Sequence, residues 1–139
     1  PACRADLFEK EIVNNSGRFK KFRMFTMENN FEIKDILVPY FYSHSLLYLI
    51  SGILENQGKD YDSYILGLER HINNVSPYDL EPTLINIHKF LYAPDFNRVV
   101  FSQSDANALD GLRTKSISHG GFDDDKLTIN SIKFILSQI

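Results

Sequence analysis

The stretch "ILVPYFYSHSLLYLISGIL", residues 36–54, constrains the fold more than any other feature. Leu37, Tyr40, Phe41, Leu47, Ile50 and Leu54 spread around the helix that it predicts over about 36–55. A helix that is apolar nearly all round has no polar face to give to water, so it should be the most buried of the chain. Asp35 stands where an N-cap would, and Pro39 falls in the first turn, where a missing amide donor costs nothing. Pro39, His44 and several hydroxyls make the stretch too polar and too interrupted for a transmembrane helix.

The segments around it alternate between strand and helix patterns. "ADLFEKEIV" is a short helical lead-in that stops at the breaker cluster "NNSG". "RFKKFRMFTM" reads as a strand, with Phe22, Met24 and Thr26 on one face and Arg23, Phe25 and Met27 on the other. Apolar residues on both faces predict cover on two sides. "YDSYILGLERHINN" is expected to be a helix with Tyr61, Ile65, Leu68 and Ile72 on one face. "SPYDLEPTLINIHKFLY" predicts another, with Leu84, Ile87, His88 and Leu91 at helical spacing. "NRVVFS" has the pattern of a buried strand, "SQSDANALDG" is a polar loop turning at Asp110-Gly111, and "LRTKSIS" reads as a further short strand. "DDDKLTINSIKFILSQI" predicts a closing helix whose apolar side carries Leu127, Ile132, Ile135, Leu136 and Ile139. The alternation points to an α/β fold, layered helix-sheet-helix, with a small sheet and four to five helices in one domain over residues 1–139.

Charge and cysteine content narrow the function. Fifteen basic against 18 acidic residues give a net charge of −3, too balanced for a nucleic-acid binder driven by phosphate contacts. The basic cluster Arg18, Lys20, Lys21 and Arg23 is local, and its spacing fits the edge of a strand. Cys3 is the only cysteine, which rules out an internal disulfide and a cysteine metal cluster and suits a reducing cytoplasm. Neither GxGxxG nor GxxxxGK[ST] occurs, and "GGFDDDK" lacks the alternating oxygen ligands of an EF-hand, so no cofactor and no metal is expected. His44 in its apolar helix is expected to be a core histidine, and His71 and His88 lie on different predicted helices.

Chemistry concentrates at "SISHGGFDDDK". A strand-like stub ends, His119 follows, two glycines turn the backbone and a helix starts at once. On the plain reading the glycines make the turn, Phe122 packs, Asp123 or Asp124 caps the helix and His119 is solvated. On the catalytic reading His119 shuttles protons from a loop beyond a strand end. The run "VVFSQSD … SISHGGFDDDKLTINSIKFIL" resembles the C-terminal segment of the α/β-hydrolase family of serine esterases and lipases, in which the catalytic histidine sits between the last strand and the last helix. The resemblance implies that His119 is the general base and that the chain is the C-terminal part of a larger protein. It leaves two positions for the orienting acid, Asp105 after "VVFS" and Glu28 after "FRMFTM". The family's Gly-x-Ser-x-Gly elbow is missing, and Ser45 within a predicted helix makes a poor nucleophile. Ester or amide hydrolysis would then take its nucleophile from outside this chain. The alternative is a small acidic cytoplasmic binding protein without catalysis, such as a toxin-neutralising immunity protein, with Tyr61, Tyr64 and Tyr78 as exposed anchors. The expected partners are accordingly the remainder of its own protein or another protein, with no nucleic acid and no membrane span.

Overall fold

The computed structural model describes residues 3–35, 47, 64–94 and 97–139. Among the described residues, four short strands form two separate pairs. β1 (Cys3–Arg4) pairs antiparallel with β3 (Ile65–Leu66). β2 (Met24–Met27) runs parallel to β4 (Val99–Ser102), with Met24 opposite Val99 and Met27 opposite Ser102. A side-chain bond ties the pairs together: Thr26 Oγ1 in β2 donates to the Gly67 carbonyl just after β3, at 2.9 Å. Met24, Thr26 and Met27 are all buried, so β2 is covered on both faces as its composition predicts.

Five helices are seen among the described residues. They are α1 (Ala5–Glu11), α2 (Asn29–Glu32), α3 (Glu69–Ile72), α4 (Pro82–Leu91) and α5 (Lys126–Leu136). The "NNSG" cluster ends α1 by a definite contact, since Asn15 Nδ2 donates to the Lys10 and Glu11 carbonyls that the helix leaves open. Pro82 opens α4 at the position where its missing amide is harmless. α4 then turns Leu84, Ile87, Phe90 and Leu91 inward against Ala5 and Phe8 of α1, Met24 of β2, Leu66 and Ile72. Phe8, Phe22 and Phe90 close an aromatic triangle with ring centroids 5.5–6.0 Å apart. Each large apolar side chain that this cluster removes from water contributes about 1.5–3 kcal/mol.

The architecture is thus mixed α/β, with the strands of the described residues divided between two small sheets rather than joined in one. Of the helix expected over about 36–55, only Leu47 falls among the described residues; it is helical and buried. The helix expected from "YDSYILGLERHINN" is corrected within its described part. Ile65 and Leu66 extend to meet β1, Gly67 takes a positive φ of 102° that no helix accepts, and only Glu69–Ile72 turns helical. "LRTKSIS" does not become a strand either, because its amides are taken by side chains: Arg113 N–H by Ser131 Oγ, Thr114 N–H by Ser104 Oγ and Lys115 N–H by Asp125 Oδ2. α5 is inverted relative to its pattern. It buries Thr128 and Ser131, while Ile132, Leu136 and Ile139 are exposed. No described helix is long and apolar enough to cross a membrane.

Candidate active site

β2 and β4 end side by side, and the chain leaving each of them supplies one half of the site. Glu28, directly after β2, donates its amide to the Ser102 carbonyl at the end of β4. One helical turn follows. It is α2, whose first amide, Asn29 N–H, donates to Glu69 Oε2 at 2.5 Å and so anchors the turn to α3. That turn carries Glu32 inward to 1% exposure. On the other side, the loop after β4 runs through the side-chain-bonded segment 113–115 to a short turn at His119–Gly121.

The two halves meet at a histidine–carboxylate contact. His119 Nε2 lies 2.9 Å from Glu32 Oε1. The imidazole is 36% exposed while its carboxylate partner is 1% exposed. A second bond fixes the backbone of the same residue, as His119 N–H donates to Asp35 Oδ2 at 2.9 Å. α2 and the residues just after it therefore hold His119 by both side chain and main chain. When Nε2–H donates to Glu32, the tautomer is set and Nδ1 is the ring nitrogen left for proton exchange. In the serine-protease arrangement the acid meets Nδ1 and Nε2 faces the nucleophile, so the ring here is used the other way round. His119 also lines an open cavity of about 390 Å³, together with Phe25, Phe122, Asp123 and Ile132.

The residues singled out in the sequence fare unevenly. His119 is paired and held, not merely solvated. Asp105 is exposed, and its Oδ1 accepts from Asn107 N–H in a local turn. Glu28 precedes α2 as its cap residue, and the carboxylate on His119 belongs to Glu32, one turn later. Asp35 has its carboxylate on the His119 amide, and the start of the helix it is expected to cap lies outside the described residues. The cap of α5 is Asp125 rather than Asp123 or Asp124, accepting from Leu127 N–H and Thr128 N–H. Ser45, His44 and Tyr61 lie outside the described residues. Tyr64 and Tyr78 are not exposed anchors: both are half-buried and stack edge-on to the fully buried His71. His71 Nδ1 faces the backbone of Ile65, and His88 Nδ1 lies 2.8 Å from the Ile72 carbonyl, so both serve structural contacts.

Asp125 shows how the loop is braced. Partial burial pushes its carboxyl up, but bonds from Lys115 N–H, the Thr128 hydroxyl, Leu127 N–H and Thr128 N–H outweigh that and hold it below the usual carboxylate range. One carboxylate thus caps α5 and pins the segment leading to His119. Among the described residues, no group of three or more His, Cys, Asp or Glu side chains is placed to hold a metal ion. Comparison of the chain with protein-family models, curated protein sequences and solved structures gives no match, which leaves this geometry to carry the functional reading.

Proposed function

We propose that His119 and Glu32 form the acid–base half of a hydrolytic site of α/β-hydrolase type, acting on an ester or amide. The observation that carries this reading is the 2.9 Å contact between a half-open imidazole and a carboxylate that is otherwise sealed from water. A buried carboxylate orients the ring and stabilises the imidazolium that forms when the ring takes a proton. In this reading His119 accepts the proton from the attacking nucleophile and returns it to the leaving group. Glu32 takes the orienting role expected of Glu28 or Asp105. The nucleophile comes from outside this chain, since no Gly-x-Ser-x-Gly elbow is encoded in it. The same reading arranges the helices and strand pairs as helix-sheet-helix layers, with the rest of its own protein as partner. A single cysteine fits a reducing, cytoplasmic setting.

The test is turnover of a chromogenic short-chain ester by the chain together with the rest of its own protein, which supplies the nucleophile, compared between the parent, His119→Ala and Glu32→Gln. General-base catalysis by the pair predicts that His119→Ala lowers the rate by about 100-fold or more. Glu32→Gln is expected to lower it by a smaller factor. Equal turnover by the parent and His119→Ala would overturn the reading. A small acidic binding protein without catalysis would then take its place, a reading favoured by the exposed apolar side chains of Ile132, Leu136 and Ile139.

A further inference from the structure

The basic run noted in the sequence does not form the edge of a strand. Residues 20–23 lie outside any strand, just before β2, and, with the turn at 13–18, wall a cavity of about 470 Å³ that opens beside α4. That volume lies within the range of small-molecule sites. Lys20, Lys21, Arg23 and Arg98 all line it, and among the described residues no carboxylate does. A protein of net charge −3 has thus gathered four cations around one concave surface. Low-dielectric walls focus such a field and favour an anion.

The other side chains of the cavity are aromatic. Phe22 and Phe90, which belong to the core triangle, line it, and so does Phe19, which is 42% exposed. Arg98 is already positioned: its guanidinium lies 4.2 Å from the centre of the Phe90 ring, and Nη1 donates to the Phe90 carbonyl at 2.7 Å. A guanidinium already held by a ring and a carbonyl loses little freedom when it meets a phosphate. Lys20 and Lys21 are exposed and can close over the bound group.

We propose that this cavity binds a mononucleotide, with the phosphate among Lys20, Lys21 and Arg98 and the base stacked on Phe19. Cations alone would serve any anion. The aromatic ring beside them is what selects a phosphate carrying a flat body, because stacking on an open ring adds affinity for any base.

Calorimetric titration of the full chain with AMP, adenosine and inorganic phosphate tests the site. Saturable AMP binding is expected, with adenosine and phosphate each weaker by about tenfold or more. Raising salt from about 0.05 M to about 0.5 M should weaken AMP binding, as screening of exposed charges requires. The double variant K20A/K21A and the single variant Phe19→Ala alter exposed side chains and leave the core intact. Each should reduce AMP affinity by about tenfold. No saturable AMP binding up to about 1 mM would overturn the proposal, as would AMP affinity unchanged by K20A/K21A. Phosphate binding as tight as AMP would overturn the role of Phe19.

Discussion

A Cβ built on Gly121 would lie 2.6 Å from Ser116 Oγ and 2.9 Å from Ser118 Oγ, whereas one on Gly120 meets nothing within 4 Å. Ser116 Oγ is not free to swing away, because it donates to the Ser118 carbonyl at 2.8 Å. Gly121→Ala should therefore cost about 1–3 kcal/mol by overpacking. Gly120→Ala should stay within about 0.5 kcal/mol. Urea denaturation of the two variants checks the contrast, and equal midpoints would refute it. Asp125 gives a pH dependence of known sign. Its folded carboxyl sits below its unfolded value of about 3.9, so it stabilises the fold above that value. That contribution is lost as pH falls through the lower, folded value. Asp125→Asn should accordingly lose less stability than the parent chain between about pH 5 and pH 3. Parallel losses in urea titrations would remove Asp125 as a source of acid sensitivity. The sequence made His119 visible because a lone histidine before two glycines and a helix is a local pattern. It hid the partner, because Glu28 and Glu32 are one helical turn apart and only the placement of α2 decides between them.

At the scale of the element, α5 overturns the usual use of an amphipathic pattern. Its inward face is a polar seam: Ser131 Oγ accepts from Arg113 N–H and donates to the Arg113 carbonyl, both at 2.9 Å. Thr128 Oγ1 donates to Thr114 Oγ1 or Asp125 Oδ2, each at 2.7 Å. Ser131→Ala leaves a peptide donor and acceptor without their partner and should cost about 1–3 kcal/mol. Leu136→Gln, on a side chain 63% exposed, should change stability by less than about 0.5 kcal/mol. Thermal or urea unfolding ranks the pair, and a larger loss for Leu136→Gln would mean that its apolar face is covered in the working protein. This seam also explains why "LRTKSIS" misleads as a sequence. Its alternation is genuine, but the amides of Arg113, Thr114 and Lys115 are spent on the side chains of Ser131, Ser104 and Asp125 rather than on a neighbouring strand. By contrast "VVFS" and most of the helix expected from "SPYDLEPTLINIHKFLY" were readable from their apolar spacing, although that helix begins only at Pro82, after a separate turn at Tyr78–Leu80.

Over the whole molecule these two kinds of packing should produce uneven stability. α4 buries Leu84, Ile87, Phe90 and Leu91 in the same cluster as α1, β2 and Leu66, and Glu9 of α1 bonds Thr83 and Asn86 on α4 as well. Each of those apolar side chains contributes about 1.5–3 kcal/mol. α5 is held by hydroxyl bonds, whose net worth is about 0.5–1.5 kcal/mol each. It can therefore open without exposing the main cluster, while α4 cannot open without dismantling it. Native-state hydrogen exchange should find the amides of 129–133 opening at a free energy at least about 2 kcal/mol below those of 87–91. The same order should appear in limited proteolysis, with first cleavage on the α5 side of residue 104. Equal protection across the two helices would show that α5 is part of the core unit. Lower protection bears on the proposed site: His119 sits on the segment that α5 pins through Asp125, while Glu32 stands on a turn anchored to α3. The contact between them then bridges the less stable part of the molecule and the more stable one. Glu32→Gln, by weakening that bridge, should speed exchange in 129–133 and leave 87–91 unchanged.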